Sequence, residues 1–313
     1  MKTKIIILIT LVLVIVKYKS NAQETAPVQQ ASEAAIHPPI GSFEADYSYS
    51  PFKINNKDVS IQQVNGKLTV PLYNTLKDGR YDFFLAGIGY NGLLLSGTGN
   101  QFGSSNFHSV SMSLTLQKSF SPKYALITSF TPMLSSDLKD ISGEDLTYSG
   151  AVLLKIRKSA KFSYSLGAAY SKQFFGTVLL PVVGVDWNIS DKLTLSAMLP
   201  VSEKLTYQLS RKSFIGINGD FGIGGGTYRL SQKMNSDYFQ ARQVKTSLFY
   251  EYHLAGNFSV NLNAGYNFGQ QLDLYAKDQK VNWVPFNNLD KLKPLEQLKK
   301  NGLAVQTGIN YNF

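Results

Sequence analysis

The chain has 313 residues, with 31 Lys and Arg against 21 Asp and Glu, a charged fraction of 17% and no cysteine. That length holds one large domain or two ordinary ones, and the charged fraction lies below the roughly 25% of an ordinary soluble domain. The missing thiols exclude a disulfide framework, a thiolate metal site, a thiol nucleophile and a lipid anchor on cysteine.

Lys2 and Lys4 precede an apolar run from Ile5 to Val16 broken only by Thr10, and Ser20-Asn21-Ala22 ends on a small residue. This pattern predicts a secretory signal over 1–22, removed near Ala22. The run is shorter than the roughly 20 apolar residues that a membrane-spanning helix needs. Removal takes away Lys2, Lys4, Lys17 and Lys19 and no acid, leaving 27 basic residues against 21 acidic ones, or +6. An exported chain with scattered lysines has neither the basic stripe nor the compartment for nucleic acid, so no nucleic-acid partner is expected. Residues 23–42, dominated by Gln, Ala, Pro and Glu, read as a flexible periplasmic lead, and 43–313 as a single domain.

The folded pattern opens at Phe43. Phe43, Ala45, Tyr47 and Tyr49 alternate with Glu44, Asp46, Ser48 and Ser50, the period of two that marks a strand. The alternation recurs at Val110 to Gln117 and Phe162 to Ser171, and at Phe258 to Phe268, where Leu262 and its apolar neighbours interleave with Ser, Asn and Gly. Small uncharged residues suit a polar interior with limited room. Strands of about ten residues match a tilted crossing of a bilayer, whereas soluble strands average about five or six.

Strands are predicted at 43–50, 64–73, 82–90, 108–117, 123–132, 145–156, 161–171, 178–189, 192–199, 204–209, 213–221, 243–254, 258–268 and 303–313. The reading is an all-β chain forming a transmembrane antiparallel up-and-down β-barrel of fourteen strands. Twelve is the alternative, because 64–73 contains Pro71 and 204–209 is short. Short connections fall at 118–123, 158–161, 190–192, 210–212 and 255–257, long ones at 91–107, 134–144, 222–241 and 270–302. With the N-terminus in the periplasm, the short turns are periplasmic and the long loops extracellular.

The last strand puts Leu303, Val305, Thr307, Ile309, Tyr311 and Phe313 on one face, and the chain ends Ile-Asn-Tyr-Asn-Phe. On these residues the chain resembles the outer-membrane β-barrel proteins of Gram-negative bacteria, most closely a family of such barrels of uncharacterised function. The resemblance implies the cell outer membrane as location, its lipids and lipopolysaccharide as surroundings, and an assembly machinery that reads Ile309, Tyr311 and Phe313. It supplies no catalytic residues.

Chemical motifs are mostly negative. Gly87 to Gly92 fits G-x-G-x-x-G, but the segment should open a helix and be followed by an acid about 20 residues on. Instead a glycine-rich stretch follows and the next acid is Asp137, so a strand running into a loop is the expectation and no cofactor is predicted. There is no G-x-S-x-G elbow, and His37, His108 and His253 lack metal-ligand spacing. Parity places Glu44, Asp46, Lys155, Asp186, Asp220, Lys245 and Glu251 on the polar face, with His253 beside Glu251 and Lys245 below the pair. Their mixed signs do not mark a strongly selective pore, which lines a constriction with one sign.

Gly222-Ile-Gly-Gly-Gly226 reads either as a constriction element or as a loop margin. Leu289, Leu292, Leu295 and Leu298, spaced by three among lysines, suggest a short amphipathic helix interrupted by Pro294. That loop is read as a plug, as a contact to lipopolysaccharide phosphates or as a packed external loop. The function expected first is a channel or transporter for small solutes, then a structural or surface-interaction barrel, and last a hydrolase, for which no catalytic residue is visible. The chain is therefore not expected to be an enzyme.

Overall fold

A computed structural model describes residues 41–54, 57–221, 226–284 and 291–313. The predicted signal and nearly all of the predicted lead lie outside them. Among the described residues, alternating side chains form seventeen strands: β1 (Ser42–Ile54), β2 (Lys57–Lys77), β3 (Arg80–Ser96), β4 (Asn106–Ser119), β5 (Tyr124–Ser136), β6 (Leu146–Ser159), β7 (Phe162–Gln173), β8 (Gly176–Asn188), β9 (Leu193–Leu199), β10 (Ser202–Gln208), β11 (Ser213–Asp220), β12 (Gly226–Arg229), β13 (Tyr238–Arg242), β14 (Lys245–Ala255), β15 (Phe258–Tyr275), β16 (Val281–Val284) and β17 (Glu296–Asn312).

Fourteen of these form a closed antiparallel up-and-down ring: β1 to β11 in order, then β14, β15 and β17. The ring closes where β17 pairs with β1, from Ser42↔Asn312 to Tyr49↔Val305. Closure leaves no unpaired edge, the condition a sheet must meet in lipid. The fourteen-strand expectation holds and twelve does not. Pro71 is tolerated because it lies past Thr69, the last β2 residue paired to β1, and beside a register shift in the pairing with β3. A proline there deprives no neighbour of a hydrogen bond, and the bulge absorbs its geometry.

Both ends of the ring carry connections. At the rim that holds Ser42 and Asn312 the turns are tight. In the turn from β2 to β3, Asp78 and Gly79 have φ of 54° and 71°, the paired left-handed conformations that a two-residue hairpin loop needs and that Asp-Gly supplies. At the opposite rim, called the loop rim below, β3 and β4 are joined through 97–105, β5 and β6 through 137–145, β11 and β14 through 221–244, and β15 and β17 through 276–295.

Two expectations at the loop rim fail. The stretch 270–302 is not one long loop: Gln270 pairs with Lys300 and Leu274 with Glu296, so both walls of this hairpin continue upward. The helix expected over the leucines from Leu289 is absent over its described part, since Glu296 onward is β17 and Leu298 lies on it. Pairing to β15 satisfies the backbone there, and Pro294 interrupts a helix just before it. Leu289 lies outside the described residues. Likewise Gly87 to Gly92 lies wholly within β3, so it neither leaves the strand nor opens a helix.

Candidate functional site

Pairing fixes which side chains share a face, because directly opposed residues point the same way. Glu44, Asp46, Lys155, Asp186, Asp220, Lys245, Glu251 and His253 all fall on one side of the ring by this rule. That side is concave, since its side chains reach over an intervening strand. Lys155 on β6 meets Asp186 on β8 at 3.0 Å, and Lys204 on β10 meets Glu251 on β14 at 3.5 Å. The opposite face exposes Ile88, Val110, Leu248, Leu262, Leu303 and their apolar neighbours.

The inner charges form three groups. Asp186 accepts from Lys155 and from the hydroxyls of Ser163 and Ser196. Glu251 lies 3.0 Å from His253 Nε2, as the sequence pairing expected, but the cation near it is Lys204. Lys245 instead donates to Gln306, whose amide donates to Asp46, and Asn65 also donates to Asp46 at 2.8 Å. Glu44 accepts from Ser42 at the terminal rim, and Asp220 accepts from Gln243. A chamber of about 510 Å³ lies among them, lined by Lys155, Asp186, Ser196, Lys204, Asn218, Asp220, Lys245 and Gln306. A smaller cavity of about 160 Å³ shares Asp220 and is bordered by Gln63, Arg242, Gln243 and Gln270.

At the loop rim the interior changes from polar to apolar. Phe52, Ile61, Leu93, Leu95 and Phe107 point inward and are buried with Tyr228, Leu230 and Phe239. Phe52, two residues past the end of the predicted strand 43–50, is part of this core. Phe107 stacks on Phe239 with ring centroids 4.1 Å apart, and Phe102 meets Phe239 edge-on at 5.4 Å. Each such buried side chain contributes about 1.5–3 kcal/mol.

Tyr228 and Phe239 belong to a strap formed by β12, the turn after it and β13. From Tyr238↔Tyr275 to Arg242↔Gln271, β13 pairs with the upper part of β15; β12 pairs with β13 and meets β5 at Arg229↔Ser136. In ring order β5 is far from β15 in both directions, so the strap crosses the mouth. Its polar groups are anchored on the walls: Tyr228 donates to Asn91 on β3 at 2.7 Å, Thr227 to Gln173 on β7, and Asp137 N to Arg229 O. Arg229 is buried, donates to Asp140 at 2.9 Å and is bonded to the fully buried Asp145. Burial works against its charge, but Asp145 and Asp140 prevail and raise its pKa further. The Gln232 backbone N–H, and then Arg229, hold the Asp140 carboxyl below the ordinary range.

The loop after β15 packs beside the strap. Leu292 is buried with Phe175, Val178, Leu180, Tyr238 and Tyr275, and Tyr238 donates to the Gln279 carbonyl. Of the Gly222 to Gly226 element, Gly226 begins β12 and the rest lies outside the described residues. Ile309 and Tyr311 are exposed on the outer face of β17 and Phe313 is exposed just after it, with the Tyr311 and Phe313 rings stacked at 6.2 Å.

A family model described as a domain of unknown function, DUF6268, matches residues 42–312. The chain belongs to the DUF6268 family. The matched segment of this DUF6268 chain spans the ring from the first residue of β1 to the last of β17. No curated protein matches it. Among solved structures it is similar to the KdgM porin (8% identity, TM-score 0.32, covering 86% of this chain and 99% of that one). It is also similar to the NanC porin (10%, 0.37, 87% and 100%) and to the Pseudomonas putida toluene transporter TodX (11%, 0.37, 95% and 94%). Identities and scores this low leave the function to the chain's own residues.

Sequence reasoning missed Lys204 and the whole strap. Lys204 was legible by the parity rule once β10 was registered. The pairing of Arg229 with Asp140 and Asp145 was not, because Arg229 lies between β11 and β14 and the two acids between β5 and β6, and only closure of the ring brings them together.

Proposed function

We propose that this chain is an outer-membrane channel for small polar solutes, closed at its extracellular mouth by the strap. The observation that carries the reading is the division of its faces: an apolar belt outside, and inside an ion-paired polar chamber of about 510 Å³. An apolar exterior around a polar interior is the pattern of a barrel in lipid. Fourteen strands about 4.8 Å apart, tilted by about 40°, give a ring roughly 28 Å across between backbones, wide enough for a lumen after side chains are placed.

In this reading the terminal rim faces the periplasm and the loops face outward. Glu44, Asp46, Lys155, Asp186, Asp220, Lys245, Glu251 and His253 line the lumen, where paired signs favour neutral or zwitterionic solutes over a strongly charged one. Lipid and lipopolysaccharide surround the belt, and Ile309 and Tyr311 of β17, with Phe313 just after it, serve as the assembly signal.

A sealed mouth also suits a purely structural barrel, so conductance decides. Single-channel recording compares the full chain with a variant in which 226–242 is replaced by a Gly-Ser linker of equal length. A several-fold larger conductance in the variant is expected. Silent bilayers with both proteins would overturn the channel reading in favour of the structural one.

A further inference from the structure

The tight turns of the terminal rim are basic. Turns 77–80, 118–123, 157–161, 190–192 and 210–212 hold ten Lys and Arg against two acids, Asp78 and Asp191. The loop-rim connections 97–105, 137–145, 221–244 and 276–295 hold eight against seven. The surplus of positive charge therefore sits at one end of the ring.

Pairing within the rim uses little of it. Arg80 lies 3.4 Å from Asp78 and Lys161 2.9 Å from Asp191, and Lys118 reaches Asp82 just inside β3. Lys77, Lys123, Lys158, Lys192, Arg211 and Lys212 are exposed and have no ion-pair partner among the described residues. They spread over the arc from β2 to β11, whereas the 255–257 turn between β14 and β15 and the end of β17 carry no Lys or Arg.

The cations stand beside exposed apolar surface. Phe120 lies between Lys118 and Lys123, Ile189 precedes the 190–192 turn, Leu209 precedes the 210–212 turn, and all three are exposed. Lys123 Nζ lies 5.2 Å from the centroid of the Tyr124 ring and Lys158 Nζ 5.9 Å from that of Tyr164. Both rings are on the outer face, because Tyr124, Ile156 and Tyr164 are opposed in register two residues along from exposed Leu154 and Leu166. A cation over an outward aromatic ring at the edge of an apolar belt sits at headgroup depth, its stem toward the acyl chains. Such an arc fits a leaflet, which surrounds the barrel; a soluble partner would meet polar turns instead.

We infer that the terminal rim binds anionic phospholipid, its unpaired cations holding phosphodiester headgroups of the surrounding leaflet along the arc from β2 to β11. Lysine and arginine at an anionic surface are drawn to its negative potential, and salt screens the attraction. This inference rests on the transmembrane reading above and is independent of whether the barrel conducts.

Trp187 is exposed on the outer face of β8, on the basic arc, and Trp283→Phe leaves it as the single tryptophan. The protein is reconstituted in mixed phosphatidylcholine and phosphatidylglycerol vesicles, with bromines on the acyl chains of one lipid at a time. Brominated phosphatidylglycerol is expected to quench Trp187 as though enriched several-fold over its share of the bilayer, less so at high salt. A second reporter, Tyr311→Trp in a background of Trp187→Phe and Trp283→Phe, stands on the bare arc, where each lipid should quench in proportion to its share. Replacing Lys158, Lys161, Lys192, Arg211 and Lys212 together by Gln is expected to remove the enrichment at Trp187. Proportional quenching of Trp187 beside the unaltered rim overturns the inference, and so does enrichment that survives the five substitutions. Capture of soluble polyglutamate without lipid enrichment assigns the rim to an acidic protein and overturns it as well. No quenching of either reporter by any brominated lipid would refute the transmembrane reading, and the inference with it.

Discussion

Replacing Arg229 with methionine is expected to release the strap from the mouth. The guanidinium is 4% exposed and holds Asp145, which is fully buried, and Asp140, which is 35% exposed. Without the cation, Asp140 keeps the Gln232 backbone N–H and Asp145 keeps the Ser142 backbone N–H, but the buried Asp145 has no opposite charge. Breaking a buried pair on one side costs about 3–5 kcal/mol, enough to raise the released population by roughly two to three and a half orders of magnitude. The assay is the open fraction of single channels in planar bilayers, which should rise sharply for Arg229→Met. Adding Asp145→Leu should restore closure, because replacing both partners of a buried pair by apolar groups is often neutral or stabilising. The reasoning fails if Arg229→Met gates like the unaltered chain, or if the double variant stays as open as the single one.

Two further outcomes test the barrel. Leu262 is 59% exposed on the outer face of β15 and Asn261 points inward beside Asn263, so Leu262→Lys should lower unfolding free energy in lipid vesicles by about 2–4 kcal/mol and Asn261→Lys by far less; the reverse order would invert the face assignment. Deleting Phe313 should reduce outer-membrane yield while Ile141→Ala, at an exposed loop residue, leaves it unchanged, and equal yields would remove the assembly role. Phe52→Ala should lower stability by about 3–5 kcal/mol, because the side chain is buried in the mouth core.

The ring was readable from the sequence because a strand's side-chain period is local. Phe43 to Ser50 and Phe258 to Phe268 declare their faces without reference to any other segment, and parity then places Glu44, Asp186 and Glu251 together on the inner side. Register across the seam follows from having to bury or expose those faces consistently. Strand ends were harder. β3 continues to Ser96 and β15 to Tyr275, where glycine and polar residues mimic a loop signal but hairpin pairing satisfies the backbone. Only the tertiary structure decided what fills the mouth. β12 and β13 are four and five residues long, too short to signal themselves by periodicity, and they gain their stability from Phe107, Asn91, Gln173 and Asp145 on distant walls.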